Sequence, residues 1–151
     1  MIPKRTVRHL TTAANQGLAT AQCSLGCLYQ DGDGVERDLA KAVQCFTQSA
    51  EQGDMYAQHN LGVAYASGKG VEKDVAKAAH WHTKAAEQDH EFSQCWLGHA
   101  YERGNGVEMD WARAEHWYVK AADHGNKAAK SLLAGLRFRT SVSKRFSGCV
   151  V

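Results

Sequence analysis

The chain has 151 residues, 44% of them hydrophobic and 23% charged, with a formal net charge of +2. Those proportions suit one folded domain or a short solenoid and exclude a disordered chain, which would hold fewer apolar residues and more net charge. So small a charge offers no field to draw in nucleic acid, and no stretch approaches the roughly 20 apolar residues that span a bilayer.

The N-terminus, MIPKRTVRHL, has basic residues but no apolar run behind them, so no secretory signal is visible and a cytoplasmic setting is expected, secretion without a signal peptide being left open. Pro3 is the one proline, so helices are permitted everywhere after it. Residues 7–16, VRHLTTAANQ, align with VQCFTQSAEQ at 43–52, and the chain therefore opens on the second half of a repeat. Three blocks of 36 residues follow without a gap, beginning at Gly17, Gly53 and Asp89. Identical in all three are Gln22/Gln58/Gln94, Leu25/Leu61/Leu97, Gly26/Gly62/Gly98 and Tyr29/Tyr65/Tyr101, and each block continues with Gly-x-Gly-Val-Glu-x-Asp.

Each block predicts two helices. In the first, Ala21, Leu25, Leu28 and Tyr29 fall at helical spacing on one apolar face. The glycine beside the leucine costs a helix about 1 kcal/mol relative to alanine, which implies that the partner helix crosses closely there. Gly32 and Gly34 then end the helix, and Val35 is expected to plug the core beneath the turn. Asp38, Asp74 and Asp110 are predicted N-caps of the second helices. Gln-Gly or His-Gly closes the turn at 52–53 and 124–125, whereas Gln88-Asp89 lacks the glycine. Residues 125–136, GNKAAKSLLAGL, match the first half of a repeat, after which the pattern stops. The predicted organisation is a half repeat at 4–16, repeats at 17–52, 53–88 and 89–124, a half repeat at 125–137, and a basic, serine-rich tail at 138–151 that either extends the last helix and then frays or caps the end of the solenoid through Phe138 or Phe146. One helix pair cannot bury its apolar face alone, so the pairs must stack into an all-α solenoid of about eight helices. Its mid-repeat ends could also stack on another copy.

The span AQHNLGVAYASGKGVEKDVAKAAHWHTKAAEQ at 57–88 resembles the Sel1-like repeat, a relative of the tetratricopeptide repeat. The likeness covers residues 7–136; a tetratricopeptide repeat would want a 34-residue period and a proline near each repeat's end. The resemblance implies a right-handed, curved superhelix whose first helices line the concave side. It also implies a non-catalytic adaptor or scaffold for protein complexes. Some relatives carry a cysteine pair in every repeat and are disulfide-stapled. The five cysteines here, Cys23, Cys27, Cys45, Cys95 and Cys149, are odd in number and do not recur by repeat, so reduced thiols are expected. The hydrolase activity proposed for the cysteine-rich relatives remains only an alternative.

Because the consensus positions maintain the fold, recognition of a protein or peptide must use the variable ones. Repeat one offers Thr20, Cys23, Ser24, Cys27 and Gln30. Later repeats offer Tyr56, His59, Asn60, Val63, Phe92, Cys95, Trp96, His99 and Glu102, the expected partner-binding set, with Tyr56, Phe92 and Trp96 either anchoring a partner or packing between helices. No cofactor and no metal are called for. Cys23, Cys27, His59, Cys95 and His99 suit zinc by residue type, but they lack the close spacing of a zinc module and read more simply as core or groove residues. Eight histidines raise acid–base chemistry, yet no nucleophile motif, carboxylate pair or phosphate loop accompanies them.

Overall fold

The computed structural model describes residues 2–147, with side chains as far as residue 143. Eight helices follow one another: α1 (Lys4–Asn15), α2 (Ala19–Asp31), α3 (Leu39–Glu51), α4 (Met55–Ser67), α5 (Val75–Glu87), α6 (Glu91–Arg103), α7 (Trp111–Asp123) and α8 (Lys127–Ser147). Among the described residues there is no strand. Substantial helix–helix contacts run between chain neighbours, from α1 with α2 to α7 with α8. This is the nearest-neighbour packing of a solenoid, in which each hairpin completes the core of the next.

The invariant glycines mark where the two helices of a repeat cross. A Cβ on Gly26 would lie 2.6 Å from the Phe46 ring and one on Gly62 2.8 Å from His82, and at Gly98 the ring of Tyr118 is closer still. Phe46, His82 and Tyr118 are all buried to within about 1% of full exclusion from solvent. The helix therefore accepts glycine's cost because an aromatic ring from the second helix occupies the Cβ position. The ring in turn buries its whole face on backbone.

The invariant glutamines tie each repeat to the one before it. Gln22, Gln58 and Gln94 donate from Nε2 to the carbonyls of Ala14, Ala50 and Ala86 at 3.1–3.2 Å. Their Oε1 atoms accept from Gln52 at 2.7 Å and Gln88 at 2.8 Å, and Gln94 Oε1 meets His124 Nδ1 at 2.9 Å. These side chains are buried, so an unpaired amide there would be costly, and the ladder leaves none.

The expected caps form. Asp38, Asp74 and Asp110 accept backbone N–H bonds from Lys41, Lys77 and Arg113 at 2.9–3.0 Å. Gly32 caps α2 in the left-handed conformation, φ 74°. Asp89 adopts φ 66° at the junction that lacks glycine, a conformation aspartate tolerates better than most residues. Val35, Val71 and Val107 are half-buried beneath their turns.

At the C-terminal end, α8 runs without interruption from Lys127 to Ser147. It runs on into the expected tail as far as Ser147, since nothing from Arg137 to Ser147 breaks a helix. The rest of the expected tail, including Cys149, lies outside the described residues.

Gly98→Ala should lower stability by about 1–2 kcal/mol, because overpacking against Tyr118 exceeds the helix-propensity gain. Urea denaturation followed by circular dichroism measures it; a more stable variant would contradict the crossing contact.

Candidate functional site

Helices α2, α4 and α6 present their variable residues on one shared face. Asn60 of α4 reaches Cys27 of α2, with Nδ2 to Sγ at 3.8 Å, and His59 of α4 reaches Ser93 of α6 at 3.0 Å. Of the residues expected to bind a partner, Tyr56, Val63 and Phe92 are exposed at 58%, 43% and 59%. His59, Asn60, Cys95, Trp96 and His99 are half-buried. A cavity of about 350 Å³ lies beside Phe92 and Trp96 and extends to Ala128 and Leu132 of α8.

Glu102 departs from the expectation. It is buried, accepts a hydrogen bond from the Tyr118 hydroxyl at 2.7 Å, and pairs with Arg139 of α8. Tyrosine at the position of Phe46 carries a hydroxyl that needs an acceptor, and Glu102 supplies it. The carboxylate is thus committed to holding α8, not to a partner. Burial and the neighbouring carboxylate hold the Tyr118 phenol well above its ordinary range.

The centre of the face is a cluster of histidines. His59, His82 and His90 each place Nδ1 3.0–3.1 Å from the hydroxyl of Ser93. His90 also caps α6, its Nδ1 accepting the backbone N–H of Ser93 at 3.3 Å. This fixes the protons. His90 Nδ1 must carry a lone pair, so the Ser93 hydroxyl donates to it, and His59 and His82 donate their Nδ1–H to the remaining lone pairs of the oxygen. His82 Nε2 is left as a buried acceptor without a partner, lying over Gly62. All three rings are neutral in this network.

Burial is the main reason they stay neutral. It pushes His82 down to about 3 and His59 down to about 4, and it lowers His90 as well. Mutual repulsion adds to this for His59 and His82, while the Glu91 carboxylate opposes it for His59 and His90. The aromatics of this face rest on the cluster: the exposed Tyr56 meets His90 edge-on at 5.7 Å, the exposed Phe92 lies 6.0 Å from His90, and the half-buried Trp96 stacks on His82 at 4.3 Å. Ser93 has the partners of an activated nucleophile, but its side chain is wholly buried, so the hydroxyl is a structural hub.

The five side chains suited to zinc do not assemble. His59 is engaged by Ser93, Cys95 packs against the core cluster around Tyr118, and Cys23 and Cys27 stand together in the first repeat. Among the described residues no three or more His, Cys, Asp or Glu are grouped so as to hold a metal ion.

The Sel1 repeat pattern matches residues 19–54, 56–90 and 92–126, which is most of the chain. The chain belongs to the Sel1 repeat family. Among solved structures it is similar to a Sel1 repeat protein from Oxalobacter formigenes, with 36% identity and a TM-score of 0.82 over 86% of this chain and 52% of that one. It is also similar to a protective antigen of uropathogenic Escherichia coli with the same repeat fold, at 40% identity and a TM-score of 0.85 over 87% of this chain. Helicobacter pylori cysteine-rich protein B matches at 25% identity and a TM-score of 0.66, covering 84% of this chain and 96% of that one. The chain spans about half the length of the first relative and 28% of the second. None of the curated proteins compared with the chain matches it.

Within these Sel1 repeats the histidine cluster is a set of coordinated departures. His82 replaces the aromatic of Phe46 and Tyr118, Ser93 replaces the alanine of Ala21, Ala57 and Ala129, and His90 stands where Asp54 and Asn126 cap their helices. Reading each residue type separately misses Ser93 and His90. Comparing the repeats position by position is the signal that would have found them, because the substitutions fall in one block of the period.

The unfolded chain takes up protons near pH 6.5, whereas the folded cluster resists them until about pH 4 or below. Stability is therefore complete above about pH 6.5 and declines as the pH falls towards 4, by about 1.4 kcal/mol per pH unit for each proton bound only on unfolding. His82→Phe should remove about one proton from that linkage while leaving the fold intact at pH 7. Urea midpoints measured between pH 7 and 4.5 test it; an unchanged slope would show that His82 does not contribute.

Proposed function

We propose that this Sel1 repeat chain is an interaction module whose α2–α4–α6 face holds a protein or an extended peptide. Sel1 repeat proteins generally serve as protein-interaction scaffolds, and what is specific to this chain is the face they offer. The observation that carries the reading is the exposure of Tyr56 and Phe92, at 58% and 59%, on a face whose neighbouring rings are packed. Aromatic residues held on a rigid support lose little conformational entropy on binding and commonly dominate interface energetics. Val63, Asn60 and His99 supply the rim, and the cavity beside Phe92 and Trp96 supplies a depression for a partner side chain.

The histidine cluster gives this face its stiffness. Tyr56 and Phe92 contact rings that are fixed by hydrogen bonds to one buried serine, so the distance between the two anchors is set by α4 and α6 together. Trp96, stacked on His82 and half-buried, belongs more to the support than to the anchor pair.

A photo-reactive phenylalanine analogue at position 92 should crosslink a discrete protein partner, while the same group at the exposed His80 on α5 should not. Tyr56→Ala combined with Phe92→Ala should weaken binding of that partner by at least about 100-fold with an unchanged helical circular-dichroism spectrum. Full binding by the double variant would remove the site from this face.

A further inference from the structure

We propose that Cys23 and Cys27 form a two-thiolate site for a soft metal or metalloid centre, one that is satisfied by two sulfur ligands. The two cysteines lie four residues apart on α2, so they share a face one helical turn apart. A cavity of about 390 Å³, lined by Thr20, Ser24, Asp54, Tyr56 and Asn60 as well as the two cysteines, opens beside them. The Asn60 amide donates to Cys27 Sγ at 3.8 Å, a contact that suits a sulfur bearing negative charge.

Cys23 is buried and Cys27 half-buried, and both line the cavity. Cys45 and Cys95 have no second cysteine one helical turn away.

Two features choose the ligand class. The absence of a third grouped donor among the described residues leaves the four-ligand preference of zinc unmet. Mercury(II), copper(I) and monosubstituted arsenic(III) accept two thiolates. The spacing also favours a bridging atom over a direct S–S bond. Positions one turn apart hold their Cβ atoms about 5–6 Å apart, whereas a disulfide requires about 3.5–4.5 Å. A large atom between the sulfurs spans that gap without breaking the helix. The site is independent of the partner-binding reading.

Phenylarsine oxide is the direct probe. It condenses with both thiols to give a phenylarsenic dithiolate and one water, two As–S bonds forming as the As–O bonds are lost, with no change in oxidation state. Native mass spectrometry should show one adduct per chain, and peptide mapping of the unsubstituted protein should place it on the segment holding Cys23 and Cys27. Cys23→Ser and Cys27→Ser should each weaken the adduct at least 100-fold, while a Cys45→Ser, Cys95→Ser, Cys149→Ser triple variant should keep it. An adduct mapped to other cysteines, or none at equimolar reagent, overturns the proposal, and the mapping stands even where a serine variant folds poorly.

Discussion

The structure depends on the contact between a glycine on the first helix of each repeat and an aromatic ring on the second. Where a Cβ would sit, Phe46, His82 or Tyr118 fills the space. This lets the two axes approach closely enough for small alanines, among them Ala42, Ala78 and Ala114, to be buried alongside. Because dense interiors transmit small volume changes, this contact fixes the angle within each hairpin, and the repeated hairpin fixes the array. The glutamine ladder acts between repeats, joining each hairpin to the one before it through buried amide hydrogen bonds.

Within that frame the ring position can vary in chemistry while keeping its shape, and each variant has drawn in different partners. Phenylalanine in the first repeat needs nothing. Tyrosine in the third brings a hydroxyl, and that hydroxyl is matched by Glu102, which in turn is matched by Arg139 on the terminal helix. Histidine in the second brings two nitrogens, one of which is matched by Ser93. Ser93 then engages His59 and His90, and the α2–α4–α6 face acquires a polar, neutral, hydrogen-bonded base. One core position thus decides both how the solenoid is closed at one end and what supports its exposed aromatics.

The two proposed sites lie on one face: Tyr56 and Phe92 rest on the histidine support, and Cys23 and Cys27 line a cavity beside Tyr56. Serine, histidine and cysteine are chemically capable residues, but burial sets what they do. The Ser93 hydroxyl is enclosed and organises its neighbours, while Cys27 is half-buried and remains within reach of a ligand.

The sequence by itself determined the repeat, the helix pairs, the caps at Asp38, Asp74 and Asp110, and the close approach at the glycines, because each is a local rule applied at a fixed period. It also placed Tyr56, His59, Asn60, Val63, Phe92 and Trp96 on a common face, since helical spacing decides direction. Only the tertiary structure decided that Glu102 is buried and that Ser93 gathers histidines from α4, α5 and the N-cap of α6. Those outcomes turn on what lies across the gap between helices, and a side chain's environment there is set by residues dozens of positions away. Periodicity gives the direction in which a side chain points; packing alone gives what it meets.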